Sequence, residues 1–141
     1  MATLKHMTYV REQYPEAKIY VFYIDLRTPG KYEKFREVRM ADKNAVFIKG
    51  KVAEIIPEAD GGVSVVAENA LTAEKMTQKV DMVVLATGMQ PSLGLQGAPA
   101  DLLMDSSGFI ISEFDKAMIA AGCAKKAADV VTGTQSSTAA D

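Results

Sequence analysis

The sequence predicts an α/β fold: a partly parallel sheet flanked by helices, with a β-meander inserted. Three observations carry this. The stretch Val80-Asp81-Met82-Val83-Val84-Leu85-Ala86-Thr87-Gly88 is a short apolar run that ends in small residues and then a turn at Pro91. A run apolar on both faces reads as a buried strand of a parallel sheet. Segments with helical spacing alternate with strand-like segments in the first half, the pattern of a parallel sheet. Asp60-Gly61-Gly62 sits between two alternating stretches, the signature of a tight hairpin.

In chain order, Leu4, Met7, Tyr9, Val10 and Tyr14 fall close to helical spacing, so a helix is expected over 2–14, stopped by Pro15. Lys18 to Leu26 is dense in β-branched and aromatic residues and reads as a strand. Arg27-Thr28-Pro29-Gly30 is a turn. Lys31 to Lys43 carries Tyr32, Phe35, Val38 and Arg39 in a helical stripe, with paired charges on a solvated face and Asn44 as its end. Ala45 to Ile48 is a short strand, and Lys49 to Ile56 alternates as a half-exposed one. Val63 to Glu68 returns as the hairpin partner. The polar stretch Asn69 to Thr77 is either a longer loop or a hairpin tip, and Lys79 to Ala86 is the buried strand.

Beyond Pro91 the texture changes. Gly94, Gly97 and Pro99 mark a loop, and Asp105-Ser106-Ser107-Gly108 a turn before a short strand, Phe109 to Ile111. Met118 to Ala121 is a small apolar run closed by Gly122-Cys123, and a helix is expected to open within Gln135 to Asp141. The expected division is a nucleotide-binding-like domain over 1–93 and a second part over 94–141. A doubly wound nucleotide domain opens with a strand and a glycine loop, whereas this chain opens with a helix. It therefore reads as a piece of a larger protein.

Composition narrows the function classes. The 141 residues carry a net charge of −2 and 48% hydrophobic residues. No basic surplus points to nucleic acid, and no apolar run reaches spanning length, so direct membrane insertion is not expected. The single cysteine, Cys123, excludes an internal disulfide. It reads as a buried small hydrophobe more readily than as a redox-active thiol. His6 has no ligand partner at metal spacing. Ser106-Ser107-Gly108 is a turn and not a nucleophile elbow, so no catalytic residue is assigned.

The motif that would grip a dinucleotide, G-x-G-x-x-G between a strand and a helix, is absent. Two features remain. Ligands in α/β sheets sit beyond the carboxyl ends of strands, which singles out Ala86, Thr87 and Gly88. The alternative there is a plain strand-to-turn exit. Asp25 stands at the end of the strand, after Tyr23-Ile24, where an acid binds ribose hydroxyls in dinucleotide domains. The alternative is an acid capping a turn with Arg27, and the missing glycine loop favours it.

Taken together, three stretches resemble a known family. Ala86-Thr87-Gly88-Met89-Gln90-Pro91 is similar to the A-T-G-x-x-P segment of two-dinucleotide flavoproteins. Asp105 to Phe109 with Met118 to Cys123 resembles their second flavin motif, and Thr134-Gln135-Ser136 the helix start after it. Lys18 to Arg27 (KIYVFYIDLR) and Phe47 to Glu54 (FIKGKVAE) bring the match closer to the heterodisulfide reductase A subunit family. Within it, the branch found in quinone-interacting membrane-bound oxidoreductases of sulfate-reducing bacteria is the most similar.

The resemblance implies a partial Rossmann-like sheet of the pyridine nucleotide-disulfide oxidoreductase type. It implies an FAD-dependent electron-transfer oxidoreductase that passes electrons to partner subunits of a membrane-associated redox complex. The location implied is cytoplasmic and peripheral to the membrane, and NAD(P) use stays open. It places Ala86, Thr87 and Gly88 near the flavin or a bound nucleotide. The family's Gly-Asp acid, which contacts the ribityl-phosphate part of FAD, falls on Cys123. A thiol cannot accept hydrogen bonds as a carboxylate does, so either the backbone amides of Gly122 and Cys123 hold the cofactor or the contact is lost. Gln135 matches a residue at the flavin ring edge, beside a helix N-terminus whose dipole favours anionic flavin. Lacking the pyrophosphate loop, the isolated chain is expected to bind FAD weakly or not at all. Two other classes remain: a non-catalytic assembly domain that docks partner subunits, and a small NAD(P)-dependent enzyme, disfavoured by the missing glycine loop.

Overall fold

The computed structural model describes residues 1–93 and 101–140. The loop expected at Gly94, Gly97 and Pro99 lies outside the described residues, as does Asp141. The chain divides into two compact units, Met1–Ala86 and Thr87–Asp141.

The first unit is mixed α/β. Helix α1 spans Ala2–Gln13, strand β1 Ile19–Tyr23, and helix α2 Glu33–Met40 after one turn of 3-10 helix at Gly30–Tyr32. Strands β2 (Ala45–Pro57), β3 (Val63–Asn69) and β4 (Lys75–Val80) follow. The sheet order is β1-β2-β3-β4. β1 and β2 are parallel, joined through α2, with Val21 opposite Phe47. The other two pairs are antiparallel and form the meander. The expected mixed sheet with a parallel pair and a β-meander is what the structure shows.

Periodicity explains the core. Residues 19, 21, 45 and 47 alternate onto one face of the parallel pair. There Val21 meets Leu4 and Met7 of α1, all three buried, with Ile19, Ala45, Phe47, Leu26 and Phe35 packed around them. Of the stripe expected on α2, Phe35 alone joins this cluster; Tyr32 and Val38 are exposed. The Arg39 guanidinium instead lies over the Phe35 ring, 5.8 Å from its centroid.

The two segments expected separately at 45–48 and 49–56 form one long strand, because β2 pairs with β1 through Lys49 and with β3 from Gly50 onward. A register shift between Val52 and Glu54 bends it. Both meander turns carry side-chain caps. Asp60 Oδ1 accepts from the Gly62 amide (3.1 Å), with Gly61 at φ +86°. Asn69 Oδ1 accepts from the Leu71 amide (2.9 Å); of the polar stretch 69–77, residues 70–74 form the hairpin tip and Lys75 to Thr77 already belong to β4.

One expectation fails here. Lys79 to Ala86 is not a buried strand. β4 ends at Val80 as a hairpin partner of β3. The apolar run after it has no strand pairing and is open to solvent, with Met82, Val84 and Leu85 exposed. A strand apolar on both faces needs neighbours along both edges and cover on both faces, and the described residues offer this run none. Only Lys79 and Val80 of the expected strand pair with β3, opposite Ser64 and Val63.

The second unit has little regular structure. Asp105 Oδ1 accepts from the amides of Ser107 (2.8 Å) and Phe109 (2.9 Å), closing the expected turn. The strand expected at 109–111 reduces to an isolated bridge between Met104 and Ile110. A second bridge, Glu113 to Met118, spans a 3-10 turn at Phe114–Lys116. Helix α3 covers Val130–Thr138, starting earlier than expected. The cause is Asp129, whose Oδ1 accepts from the Thr132 amide at 2.7 Å and sets the N-cap. Gln135 therefore stands in mid-helix and not at its start.

Candidate functional site

The first unit contains an open cleft of about 650 Å³ at the carboxyl end of β1. Its origin is the change of partner in β2. At Tyr23 opposite Lys49 the parallel pairing ends, and at Gly50 β2 turns its hydrogen bonds to β3. Past this point the chain leaving β1 no longer hydrogen-bonds to β2, and the gap is the cleft. Gly50 lies in its wall. A Cβ there would stand 2.0 Å from the Glu68 carbonyl oxygen, so only glycine permits this approach of β3.

Apolar residues Leu4, Val21 and Val52 line the interior, and Asp25, Arg27 and Lys51 supply its charge. Asp25 Oδ2 accepts from Arg27 Nε at 2.5 Å. This hydrogen bond holds the Asp25 carboxyl below its usual range, with the Arg27 charge and then Lys49 adding to the effect. Both partners are well exposed (59% for Asp25 and 85% for Arg27), so water screens the pair.

The structure brings two of the singled-out residues together: Asp25 and Ala86 both line this cleft. The alternative reading of Asp25, a cap paired with Arg27, describes its present contact. Thr87 and Gly88 are exposed residues of the second unit, Gly88 at φ +96° with open space where a Cβ would be. Arg27 and Lys51 were not singled out as site residues by sequence reading. The signal available was the alternation Lys49, Lys51 on β2, which puts both charges on one face beside Asp25's strand end.

In the second unit, Gly122 packs against α3. Its amide donates to Ser136 Oγ (3.2 Å), and a Cβ at this position, where φ is +56°, would meet Ser137 Oγ at 3.2 Å. That amide is thus already engaged. Cys123 is exposed, correcting the expectation of a buried thiol, and its Sγ lies 3.8 Å from the Ala128 carbonyl oxygen. The α3 amides nearest the turn are capped by Asp129, whose carboxyl is held below its usual range by the Thr132 side chain and amide. Position 123 thus offers an exposed thiol, the amide at 122 is engaged by Ser136, and the start of α3 is capped by Asp129. Among the described residues no cluster of three metal-ligating side chains occurs, and no helix is long and apolar enough to cross a membrane.

No family model matches the chain. Individual relatives do. The A subunit of the ferredoxin:CoB-CoM heterodisulfide reductase of Methanosarcina acetivorans is 35% identical over 119 residues, 82% of this chain and 15% of the relative. The second iron-sulfur A subunit of the CoB–CoM heterodisulfide reductase of Methanopyrus kandleri is 36% identical over 93 residues, 64% of this chain and 14% of the relative. The A subunit of the H(2):CoB-CoM heterodisulfide,ferredoxin reductase of Methanothermobacter marburgensis is 29% identical over 97 residues, 68% of this chain and 15% of the relative. The chain thus spans about one seventh of the length of these relatives. Among solved structures, thioredoxin reductase from Streptococcus pyogenes MGAS5005 is similar at a TM-score of 0.48 and 22% identity, covering 87% of this chain and 42% of that one. Over most of its length, this chain is a homologue of a segment of the heterodisulfide reductase A subunit.

Proposed function

We propose that this chain acts as a segment of an FAD-dependent electron-transfer subunit of the heterodisulfide reductase A type. The observation that carries the reading is the 35% identity over 82% of the chain to a protein named for heterodisulfide reduction. In that reading residues 1–93 form the nucleotide-binding-like part and 94–141 the tail of the flavin domain. Flavin supplies the redox chemistry, and the protein supplies position and electrostatics. Ala86, Thr87 and Gly88 border the cofactor, and Gly122, Cys123 and Gln135 lie along its ribityl and ring edges. Electrons pass between the flavin and partner subunits of a redox complex. The cleft of the first unit is the place for a nicotinamide nucleotide, with Asp25 toward the ribose. The finer assignment, to cytoplasmic subunits seated on a membrane complex of sulfate reducers, rests on the resemblance of Lys18–Arg27 and Phe47–Glu54.

The test is spectroscopic. A whole A-type subunit containing this segment is expected to carry FAD, identified by visible absorption and by mass after acid release. The 141-residue chain alone is expected to show little flavin absorption after incubation with FAD. A whole subunit without flavin overturns the reading. In that case the second reading, an assembly domain, takes its place, favoured by the exposed apolar run at Met82, Val84 and Leu85. A flavin band near one equivalent on the short chain overturns the claim that its cofactor site is incomplete.

A further inference from the structure

Helix α2 carries a stripe that the core does not use. Tyr32 at its N-cap, Arg36, Arg39 and Met40 stand at i, i+4, i+7 and i+8, on one flank of the helix. Phe35 packs against the core cluster, while this flank reaches solvent, with Tyr32 36% and Met40 45% exposed. Tyrosine, arginine and methionine are among the residue types enriched where proteins meet.

The two arginines are short of partners. The sequence predicts paired charges along this helix, but among the described residues the one ion pair within α2 joins Arg36 to Glu33. Asp42 feels the Arg39 charge, yet its ion pair is with Arg11. Arg39 and Lys43 are thus left without a carboxylate among the described residues, in a chain of 18 acidic and 16 basic residues. The Nε atoms of Arg36 and Arg39 are both buried with no hydrogen-bond partner. Buried donors without acceptors cost stability, and a carboxylate arriving at these guanidinium groups offsets that cost. The Phe35 ring already holds the Arg39 guanidinium over its face. A stacked guanidinium is oriented before a ligand arrives, which lowers the entropy lost on binding.

We propose that the flank formed by Tyr32, Arg36, Arg39 and Met40 docks a carboxylate-bearing segment of a partner protein, with Arg39 as the main anchor. The unpaired cations select an anionic partner. Aspartate and glutamate side chains join a charged tip to an apolar stem, and the stripe likewise sets guanidinium groups among apolar side chains. A sugar-phosphate backbone would call for a basic surplus that this chain lacks. The inference goes beyond the flavin reading and does not depend on it.

The experiment uses an acidic peptide as the probe. The 141-residue chain, labelled with 15N, is titrated with a decaglutamate peptide and, separately, with a ten-nucleotide oligothymidylate. The peptide is expected to shift the amide resonances of residues 32–43, and the effect should fall as salt rises. Arg39→Gln is expected to weaken the peptide about 10-fold, the scale of one charge-assisted contact. Lys34→Gln removes the same charge from the opposite flank and should change affinity by less than about 2-fold. Met40→Glu, at an exposed position, should also weaken binding, and thermal melts show that each variant is folded. Equal losses for Arg39→Gln and Lys34→Gln overturn the proposal, since the helix then reads charge alone. So does oligothymidylate binding as tightly as the peptide, or the absence of any shift on α2. Shifts of the same amides with rising chain concentration and no probe overturn it in favour of a second copy as the occupant. None of these outcomes bears on flavin content, which is read separately in the whole subunit.

Discussion

Gly50 on β2 faces the carbonyl of Glu68 on β3 so closely that a Cβ at position 50 would lie 2.0 Å from the oxygen. The contact is with backbone, which has no rotamer to move away. Gly50→Ala must therefore push β3 off β2 at the point where β2 changes partners. The expected cost is about 2–3 kcal/mol, in the range of overpacked cores, measured by urea denaturation. The cleft wall shifts with it, so the amide resonances of Lys51 and Val52 should move as well. An alanine variant of unchanged stability would show that β2 and β3 are farther apart than described.

Leu4 is fully buried and is the residue through which α1 grips the parallel pair. Its neighbours Met7 and Val21 are also buried, so a truncation leaves a hole that only the helix can fill by moving. Leu4→Ala is expected to destabilise the first unit by about 3 kcal/mol, while the exposed Tyr9→Ala on the same helix should change stability by less than about 0.5 kcal/mol. Parallel thermal melts of the two variants check this.

Arg11 and Asp42 fasten the end of α1 to the end of α2. Arg11 Nε donates to Asp42 Oδ2 at 3.0 Å, and its Nη1 reaches the carbonyl oxygens of Pro15 and Ala17. Asp42 Oδ1 in turn accepts from the Asn44 amide at 2.9 Å, and this bond, then the Arg11 pair, holds the Asp42 carboxyl below its usual range. A depressed carboxylate stabilises the fold above its unfolded value of about 4 and loses that contribution as pH falls through the lower folded value. Asp42→Asn should thus be less stable than the parent at neutral pH, and the gap should close as pH falls below about 4. Arg11→Ala is expected to cost about 2 kcal/mol at neutral pH, since it strips charged hydrogen bonds from several carbonyls at once. Denaturant melts across the acid range check both, and a gap independent of pH would show that Asp42 is not depressed.

Local chemistry wrote most of the first unit plainly into the sequence. Pro15 ends α1, the aromatic and β-branched run makes β1, and Asp60-Gly61-Gly62 turns the meander. Each depends on residues a few positions apart. What was not legible depends on distant partners. The change of pairing between Lys49 and Gly50 needs β3 in place, so 45–57 read as two strands instead of one. The start of α3 was misplaced because the capping carboxylate, Asp129, lies in a lysine- and alanine-rich stretch without an apolar stripe. At the site, Asp25 is legible from its place at a strand's end. The contribution of Arg27 and Lys51 emerges only once β1 and β2 stand side by side.

The run at Met82 to Leu85 presents the sharpest conflict between pattern and structure. Val84 is 58% exposed and Leu85 64%, although the composition is that of a buried strand. In a chain where these side chains face water, replacing them removes no packing. Val84→Asp and Leu85→Asp are each expected to change stability by less than about 0.5 kcal/mol. They should also lower self-association, because they break a contiguous apolar patch. Sedimentation velocity at rising concentration, with thermal melts, measures both effects. If either substitution cost about 3 kcal/mol, as deletion of a core leucine does, the run would be packed in solution and the sequence pattern would be right. A neutral substitution in the short chain that becomes destabilising in a whole A-type subunit would show that the run gains its cover there, as the assembly of a parallel sheet demands.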